Sequence, residues 1–180
     1  MRKVLAFFFT LILILGFTAC AGPSQSPETG QNKTDEIVDP TPQVAEKEVN
    51  LYFANEDYVV TGDEQLEKLK AEKRVLQYGE DMSLEETIVR ELMKGPQSEG
   101  LSTEIPSTVK LIGVRVDNGT AFVDFAQEGL HGGSLQEFFT IEQIVRSLIE
   151  LDSVDKIQFL IEGQKAESLM GHMSIYEPLN

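Results

Sequence analysis

The chain has 180 residues, with 30 acidic and 15 basic side chains, so its formal net charge at pH 7 is −15. An acidic chain repels phosphate backbones, so we expect no nucleic-acid partner. One cysteine and two histidines exclude an internal disulfide and argue against a multi-cysteine or histidine-rich metal site. The length allows one folded domain and a tail.

The first twenty residues have the pattern of a bacterial export signal. Two basic residues precede the apolar run Val4–Phe17, which is shorter than the ~20 residues that a membrane-spanning helix needs. The segment Phe17-Thr18-Ala19-Cys20 then resembles the bacterial lipobox, in which the cysteine is diacylated and the peptide is cut before it. We therefore predict a signal peptide over residues 1–19. Cys20 would anchor the mature protein to the outer side of the cell membrane through its diacylglyceryl group.

Residues 20–47 differ in composition from the rest of the chain. After the cysteine they are rich in proline and small polar residues, and their few apolar residues show no period, which predicts a disordered tether. We expect one folded domain over residues 48–180. It would hold 25 of the 30 acidic residues, and this charge would keep it off anionic lipid headgroups.

The first half of this domain gives mixed signals. Alternating apolar residues predict a strand at Val49–Phe53 and shorter strands at Tyr58–Val60 and Arg74–Tyr78. The charged segment Asp63–Ala71 could form a surface helix. A clear helix begins after Ser83, where Ser-Leu-Glu-Glu fits a capping box, and ends at Gly95-Pro96.

A hairpin is the strongest local signal. Two β-rich runs within Val109–Phe125 flank Asn118-Gly119, the residue pair that a two-residue type I′ turn prefers. This loop fixes the register, so that the predicted cross-strand pairs on the apolar face are Val116 with Ala121, Val114 with Val123, and Ile112 with Phe125. The opposite face would carry Gly113, Arg115, Phe122 and Asp124, with Arg115 stacked on Phe122 and diagonal to Asp124.

The remaining elements complete a two-layer arrangement. An apolar stripe predicts a helix over Ser134–Leu151, and alternation predicts a strand over Lys156–Ile161 and a last short strand over His172–Tyr176. The order of strands, helix, hairpin, helix and strand predicts an α+β two-layer sandwich. Its sheet would be mostly antiparallel, with the two main helices on one face.

Several short motifs follow one another in an order typical of a known family. From about Val49 to Pro178 the chain resembles the GerMN domain of spore germination and sporulation lipoproteins. The segment Asn55–Tyr78 departs most from the family's pattern. The matching pieces are Val49–Phe53, Glu91–Pro96, Gly100-Leu101, Ile105-Pro106, Gly119, Ala121–Phe125, Val154–Ile157, Gly163 and Gly171-His172.

The resemblance implies an extracytoplasmic interaction module with no established catalytic residues, no cofactor and no metal. The leading hypothesis is therefore a non-catalytic lipoprotein whose domain docks on an envelope protein or complex, or on itself. The family name suggests sporulation or germination as its setting. The candidate contact surface is the partly solvent-exposed face of the hairpin, with Arg115, Phe122 and Asp124.

The alternative is a small cell-wall enzyme or ligand-binding lipoprotein that uses a cleft near His131 or His172. The segment His131–Ser134 is similar to an esterase oxyanion element, but the Gly-x-Ser-x-Gly elbow that such chemistry needs is missing. A glycine turn with Ser134 as the N-cap of the next helix explains it more simply. A cation between Asp117 and Asp124 is a further weak alternative, because no third ligand lies at loop spacing.

Overall fold

The computed structural model describes residues 44–180. The predicted signal peptide, Cys20 and most of the predicted tether lie outside the described residues. Strand β1 begins at Ala45, so the last three residues assigned to the tether belong to the first sheet. None of the helices within this described part is long and apolar enough to span a bilayer.

Six strands and three helices follow one another along the domain. In chain order they are β1 (Ala45–Asn55), α1 (Glu56–Thr61), β2 (Leu69–Tyr78), α2 (Leu84–Lys94), β3 (Leu101–Ser102), β4 (Leu111–Asp117), β5 (Thr120–Phe125), α3 (Ser134–Ile149) and β6 (Lys156–Ile161).

The strands form two three-stranded sheets, where the sequence predicted a single one. The first has the order β2-β1-β3 and is antiparallel throughout; the second has the order β4-β5-β6, in which β5 and β6 are parallel. Helix α2 packs against β1, β2 and β4, and α3 packs against β1 and β6. The predicted α+β class is confirmed, and each of the two main helices contacts strands of both sheets.

One apolar core joins both sheets and both main helices. The burial of these side chains supplies the main driving force for folding. The largest fully buried apolar side chains are Phe53, Phe125, Phe139, Phe159, Leu51, Ile88, Leu92, Ile141, Ile144, Leu148, Ile157 and Ile175.

Helix α2 confirms its sequence signals. The Ser83 hydroxyl accepts a hydrogen bond from the backbone N–H of Glu86 at 3.1 Å, and Gly95, with φ 94°, ends the helix. The second half of the predicted capping box is absent, because the Glu86 carboxylate binds Arg90 one turn later instead of turning back.

The hairpin confirms the predicted turn and most of the register. Asn118 and Gly119 have φ angles of 48° and 73°, as a type I′ turn requires. Val116 pairs with Ala121 and Val114 with Val123, but Phe125 pairs with Leu111. The predicted partner Ile112 is wrong because a β-bulge before Gly113 inserts one extra residue. Ile112 is consequently 51% exposed.

The predictions between β1 and β2 are wrong. Tyr58–Val60 lies in helix α1, because buried Tyr58 packs edge to face on Phe139 of α3. No helix forms over Asp63–Ala71: the Asp63 carboxylate accepts a hydrogen bond from the N–H of Gln65 in a turn. Strand β2 then starts at Leu69, earlier than predicted, and pairs along the whole of β1.

The C-terminal part differs from the prediction at three points. Helix α3 ends at Ile149, two residues early, and its N-cap is Gly133; Ser134 is already helical. Strand β6 has its predicted bounds. The segment 172–176 is not a strand, because side chains hold its backbone: Gln158 donates to the carbonyl of Ile175, and Glu137 accepts from the N–H of His172.

Candidate functional site

The structure brings together two of the three predicted contact residues as expected. Arg115 of β4 and Phe122 of β5 are direct cross-strand neighbours. The Arg115 guanidinium carbon lies 3.9 Å from the centroid of the Phe122 ring, which is the geometry of a cation–π stack. Among residues 44–180 no carboxylate lies within ion-pair distance of Arg115. The exposed edge of the guanidinium is therefore available to a partner.

Asp124, the third predicted contact residue, has a structural partner. Its Oδ1 accepts a hydrogen bond from the backbone N–H of Gly163 at 2.9 Å. Asp124 forms no ion pair with Arg115, since the turn after β6 binds its carboxylate. Asp117 also has a local partner, because its Oδ1 accepts from the side-chain amide of Asn118 at 3.0 Å.

These residues line a shallow groove of about 310 Å³ on the outer face of the second sheet. Glu86 of α2 closes one side, with one oxygen paired to Arg90 at 2.6 Å and the other 3.5 Å from the N–H of Val114. The groove thus combines the Arg115 guanidinium, which has no ion-pair partner among residues 44–180, with two carboxylates and apolar surface. The lining residues are Glu86, Ile112, Gly113, Val114, Arg115, Phe122, Asp124, Leu160 and Gly163.

The two histidines of the alternative hypothesis belong to neighbouring loops. Nε2 of His172 lies 3.1 Å from the carbonyl oxygen of Gly132, the residue after His131. This hydrogen bond fixes one loop on the other, which is a structural role. His131 itself is exposed.

A buried carboxylate that sequence reasoning missed lies beneath these loops. Glu137 of α3 is fully buried. It accepts four backbone hydrogen bonds, from Leu169 and Met170 at 2.9 and 2.8 Å and from His172 and Met173 at 2.7 and 3.2 Å. A glutamate in the first turn of a helix is usually solvated, so no sequence signal marked it.

A second buried polar cluster joins β2 to the loop after α2. Glu72 accepts from the N–H groups of Gln97 and Ser98, and Arg74 donates to Glu72, Glu91 and the carbonyl of Gly95. Burial by itself would raise the pKa of Glu72, but the hydrogen bonds from Ser98, Arg74 and Gln97 outweigh it and hold that pKa below its ordinary value. The charged groups of this cluster form hydrogen bonds with one another and with nearby backbone, so we assign the cluster a structural role.

The family model Germane, described as sporulation and spore germination, matches residues 50–167. The chain belongs to the Germane family. This match covers the groove, all three helices and both sheets except the first five residues of β1. It confirms the resemblance inferred from the sequence. Among curated proteins, none matches the chain significantly.

Solved structures agree with this assignment at the level of the fold. The first GerMN domain of the Bacillus subtilis sporulation protein GerM superposes with a TM-score of 0.60 at 20% identity, covering 74% of this chain and 97% of that one. The tandem GerMN domains of GerM give a TM-score of 0.52 at 20% identity and cover 82% of this chain, which spans 49% of the tandem pair. A provisionally assigned lipoprotein from Clostridium perfringens gives 0.51 at 23% identity, covering 76% of this chain and 88% of that one.

Proposed function

We propose that this Germane-family chain is a non-catalytic, lipid-anchored envelope protein whose domain docks on another envelope protein or complex. The family description supports a context in sporulation or germination. The likeness to a provisionally assigned lipoprotein agrees with the lipobox at Cys20, which supports an extracytoplasmic position.

The exposed Arg115–Phe122 stack is the observation that carries the docking proposal. Arginine and aromatic side chains, phenylalanine among them, are enriched in the buried centres of protein interfaces. Here the ring supports a guanidinium that has no ion-pair partner in the described residues. Since the side chain is already held in place, less conformational entropy is lost on binding.

The groove beside the stack is suited to a protein surface. Ile112 and Leu160 supply apolar walls, and the Arg115 guanidinium and the carboxylates of Glu86 and Asp124 supply charge of both signs. A partner that inserts an apolar side chain and presents a carboxylate to Arg115 would match this arrangement. We propose such a protein surface as the occupant.

In-cell crosslinking of the full-length protein in its native host, followed by mass spectrometry, tests the proposal. Wild type should enrich one or two envelope proteins, and Phe122→Ala should lower that capture about tenfold or more because the stack is lost. Val60→Ala is the matched control, since Val60 is 82% exposed on α1, outside the groove. Cys20→Ser should abolish capture by removing the anchor.

Two results would contradict the proposal. One is capture that stays unchanged in Phe122→Ala while the variant keeps its wild-type melting temperature. The other is wild-type protein that enriches only cell-wall fragments, with binding lost in His131→Ala, which would restore the enzyme or ligand-binding alternative.

A further inference from the structure

Strand β4 presents an open edge. In the hairpin, Arg115 and Asp117 pair with Phe122 and Thr120, and in a two-residue loop these pairs exchange their hydrogen bonds with β5. The N–H and C=O groups of Val114 and Val116 therefore point away from β5. In the described part of the chain, the only hydrogen bond that either N–H donates is the one from Val114 to Oε2 of Glu86, at 3.5 Å.

This edge has the features of a surface that accepts another strand. Strand β4 spans seven residues, Leu111–Asp117, and its pairing with β5 is regular from Gly113 to Asp117, after the bulge. Two apolar side chains on it are exposed, Ile112 at 51% and Val116 at 36%. An unpaired edge with exposed apolar residues is a template for strand addition.

We propose that β4 pairs antiparallel with β4 of a second copy of this chain, about a two-fold axis at Val114, to form one continuous six-stranded sheet. This pairing uses the edge of β4 together with Arg115 and Glu86, so it does not rest on the proposed docking partner and would compete with any partner that binds Arg115.

Charge complementarity selects the second copy as the occupant. In this register Arg115 lies opposite Gly113 of the other copy. Oε2 of Glu86 lies 3.6 Å from the position that a Cβ on Gly113 would take and 3.5 Å from the N–H of Val114. Pairing would give that N–H the C=O of Val114 in the other copy, which frees the Glu86 carboxylate to reach the Arg115 guanidinium of the other copy. The two-fold axis repeats the pair. Gly113 has no side chain to block the approach.

Other registers fit less well. An axis at Arg115 would set two guanidinium groups against each other, and like charges directly opposite are destabilising. An axis at Val116 would put Arg115 opposite Asp117, but fewer residues of the two β4 strands would then pair. The net charge of −15 on each copy opposes association, so moderate salt should strengthen the dimer by screening this long-range repulsion.

Two differently tagged full-length copies, expressed together and solubilised from membranes, test the pairing by co-purification. Wild-type copies should capture each other. Arg115→Glu in both copies, or Glu86→Arg in both, should lower capture about tenfold or more, because two opposite-charge contacts become repulsive. One copy with Arg115→Glu and the other with Glu86→Arg should restore it, since both contacts are then matched.

Two further variants test separately the backbone hydrogen bonds and the register of the proposed strand pairing. Val116→Pro removes an outward N–H and should abolish capture, while the Arg115–Phe122 stack remains and partner docking persists. Asp117→Arg is the matched charge control and should leave capture unchanged. Circular dichroism melting verifies that each variant is folded.

Several outcomes would overturn the pairing. They are wild-type copies that do not capture each other, capture that is insensitive to Val116→Pro, or no rescue in the mixed pair. Loss with Asp117→Arg but not with Glu86→Arg would reject the axis at Val114. Capture of a different protein with this charge dependence would assign the edge to that protein.

Discussion

Two strand edges of this domain differ in how well their outward N–H groups are supplied with hydrogen-bond acceptors. On the edge of β1 that faces away from β2, helix α3 supplies hydrogen-bond acceptors. Ser147 Oγ accepts from the N–H of Tyr52 at 2.9 Å, and Gln143 Oε1 accepts from the N–H of Ala54 at 3.3 Å. On the edge of β4, the one side-chain acceptor among residues 44–180 is Oε2 of Glu86, at 3.5 Å from the N–H of Val114.

The difference shows what the buried polar residues of α3 do. Gln143 and Ser147 are one helical turn apart, so they share a face, and their spacing matches alternate residues of a strand. Their side chains close an edge that would otherwise bury unpaired amides. Glu137, earlier on the same helix, satisfies four amides of the C-terminal segment. In the described part of the chain, the outward side of β4 has only the 3.5 Å contact from Glu86 to the N–H of Val114, and the outward N–H of Val116 has no partner there.

The largest effect is expected where α3 satisfies most backbone groups. Glu137→Ala would leave four N–H groups without their acceptor, so the free energy of unfolding should fall by about 3–5 kcal/mol, as when a buried charge network is broken. Urea unfolding measures this. Glu142→Ala on the same helix, whose carboxylate makes no hydrogen bond among residues 44–180, should change stability by less than about 0.5 kcal/mol. Equal effects of the two substitutions would refute the structural role of Glu137.

A smaller loss is expected at the covered edge of β1. Gln143→Leu keeps the side-chain size but removes the acceptor for the N–H groups of Ala54 and Glu104. The expected cost is about 2–4 kcal/mol, because each buried unpaired N–H costs about 1–3 kcal/mol. Gln65→Leu is the same change at an exposed glutamine and should be near neutral. A stabilising effect of Gln143→Leu would show that the edge does not need this acceptor.

Glu72 on the edge strand β2 provides a pH-dependent test of how far a buried side chain that accepts backbone hydrogen bonds stabilises the fold. The pKa of Glu72 is below its unfolded value, near 4.3, so Glu72 contributes stability that is present above that pH and is lost as the pH falls through the folded pKa. Glu72→Gln should therefore be less stable than wild type at pH 7, and the difference should shrink below about pH 4. Urea unfolding at pH 7, 5 and 3 measures it. A difference that is constant with pH would assign the effect to geometry and not to charge.

The smallest effect on stability is expected at the open edge. Val116→Pro removes an N–H that points away from β5, so hairpin pairing is kept and the free energy of unfolding should change by less than about 1 kcal/mol. A thermal melt at low protein concentration measures it in the monomer. A loss as large as that of Gln143→Leu would mean that the N–H of Val116 is already paired, and the two edges would then be alike.

The amino-acid sequence by itself determined the elements whose signals are local. Ser83 and Gly95 mark the ends of α2, Asn118-Gly119 specifies the turn between β4 and β5, and alternation defines β6. Order and spacing of the short motifs were enough to identify the family. The Arg115–Phe122 stack also followed from the sequence, because a two-residue turn dictates which residues face each other.

Only the tertiary structure decided the features that depend on distant partners. Tyr58–Val60 has strand-forming residues but is helical, because Phe139 of α3 buries Tyr58. The bulge at Ile112 moves an apolar residue outward, and no local pattern announces such an insertion. Glu137 and Gln143 are polar residues in an otherwise apolar stripe, and their partners lie more than thirty residues away. A local pattern reports which side chains avoid water, whereas the backbone groups that need a partner are known only once the strands and helices have packed.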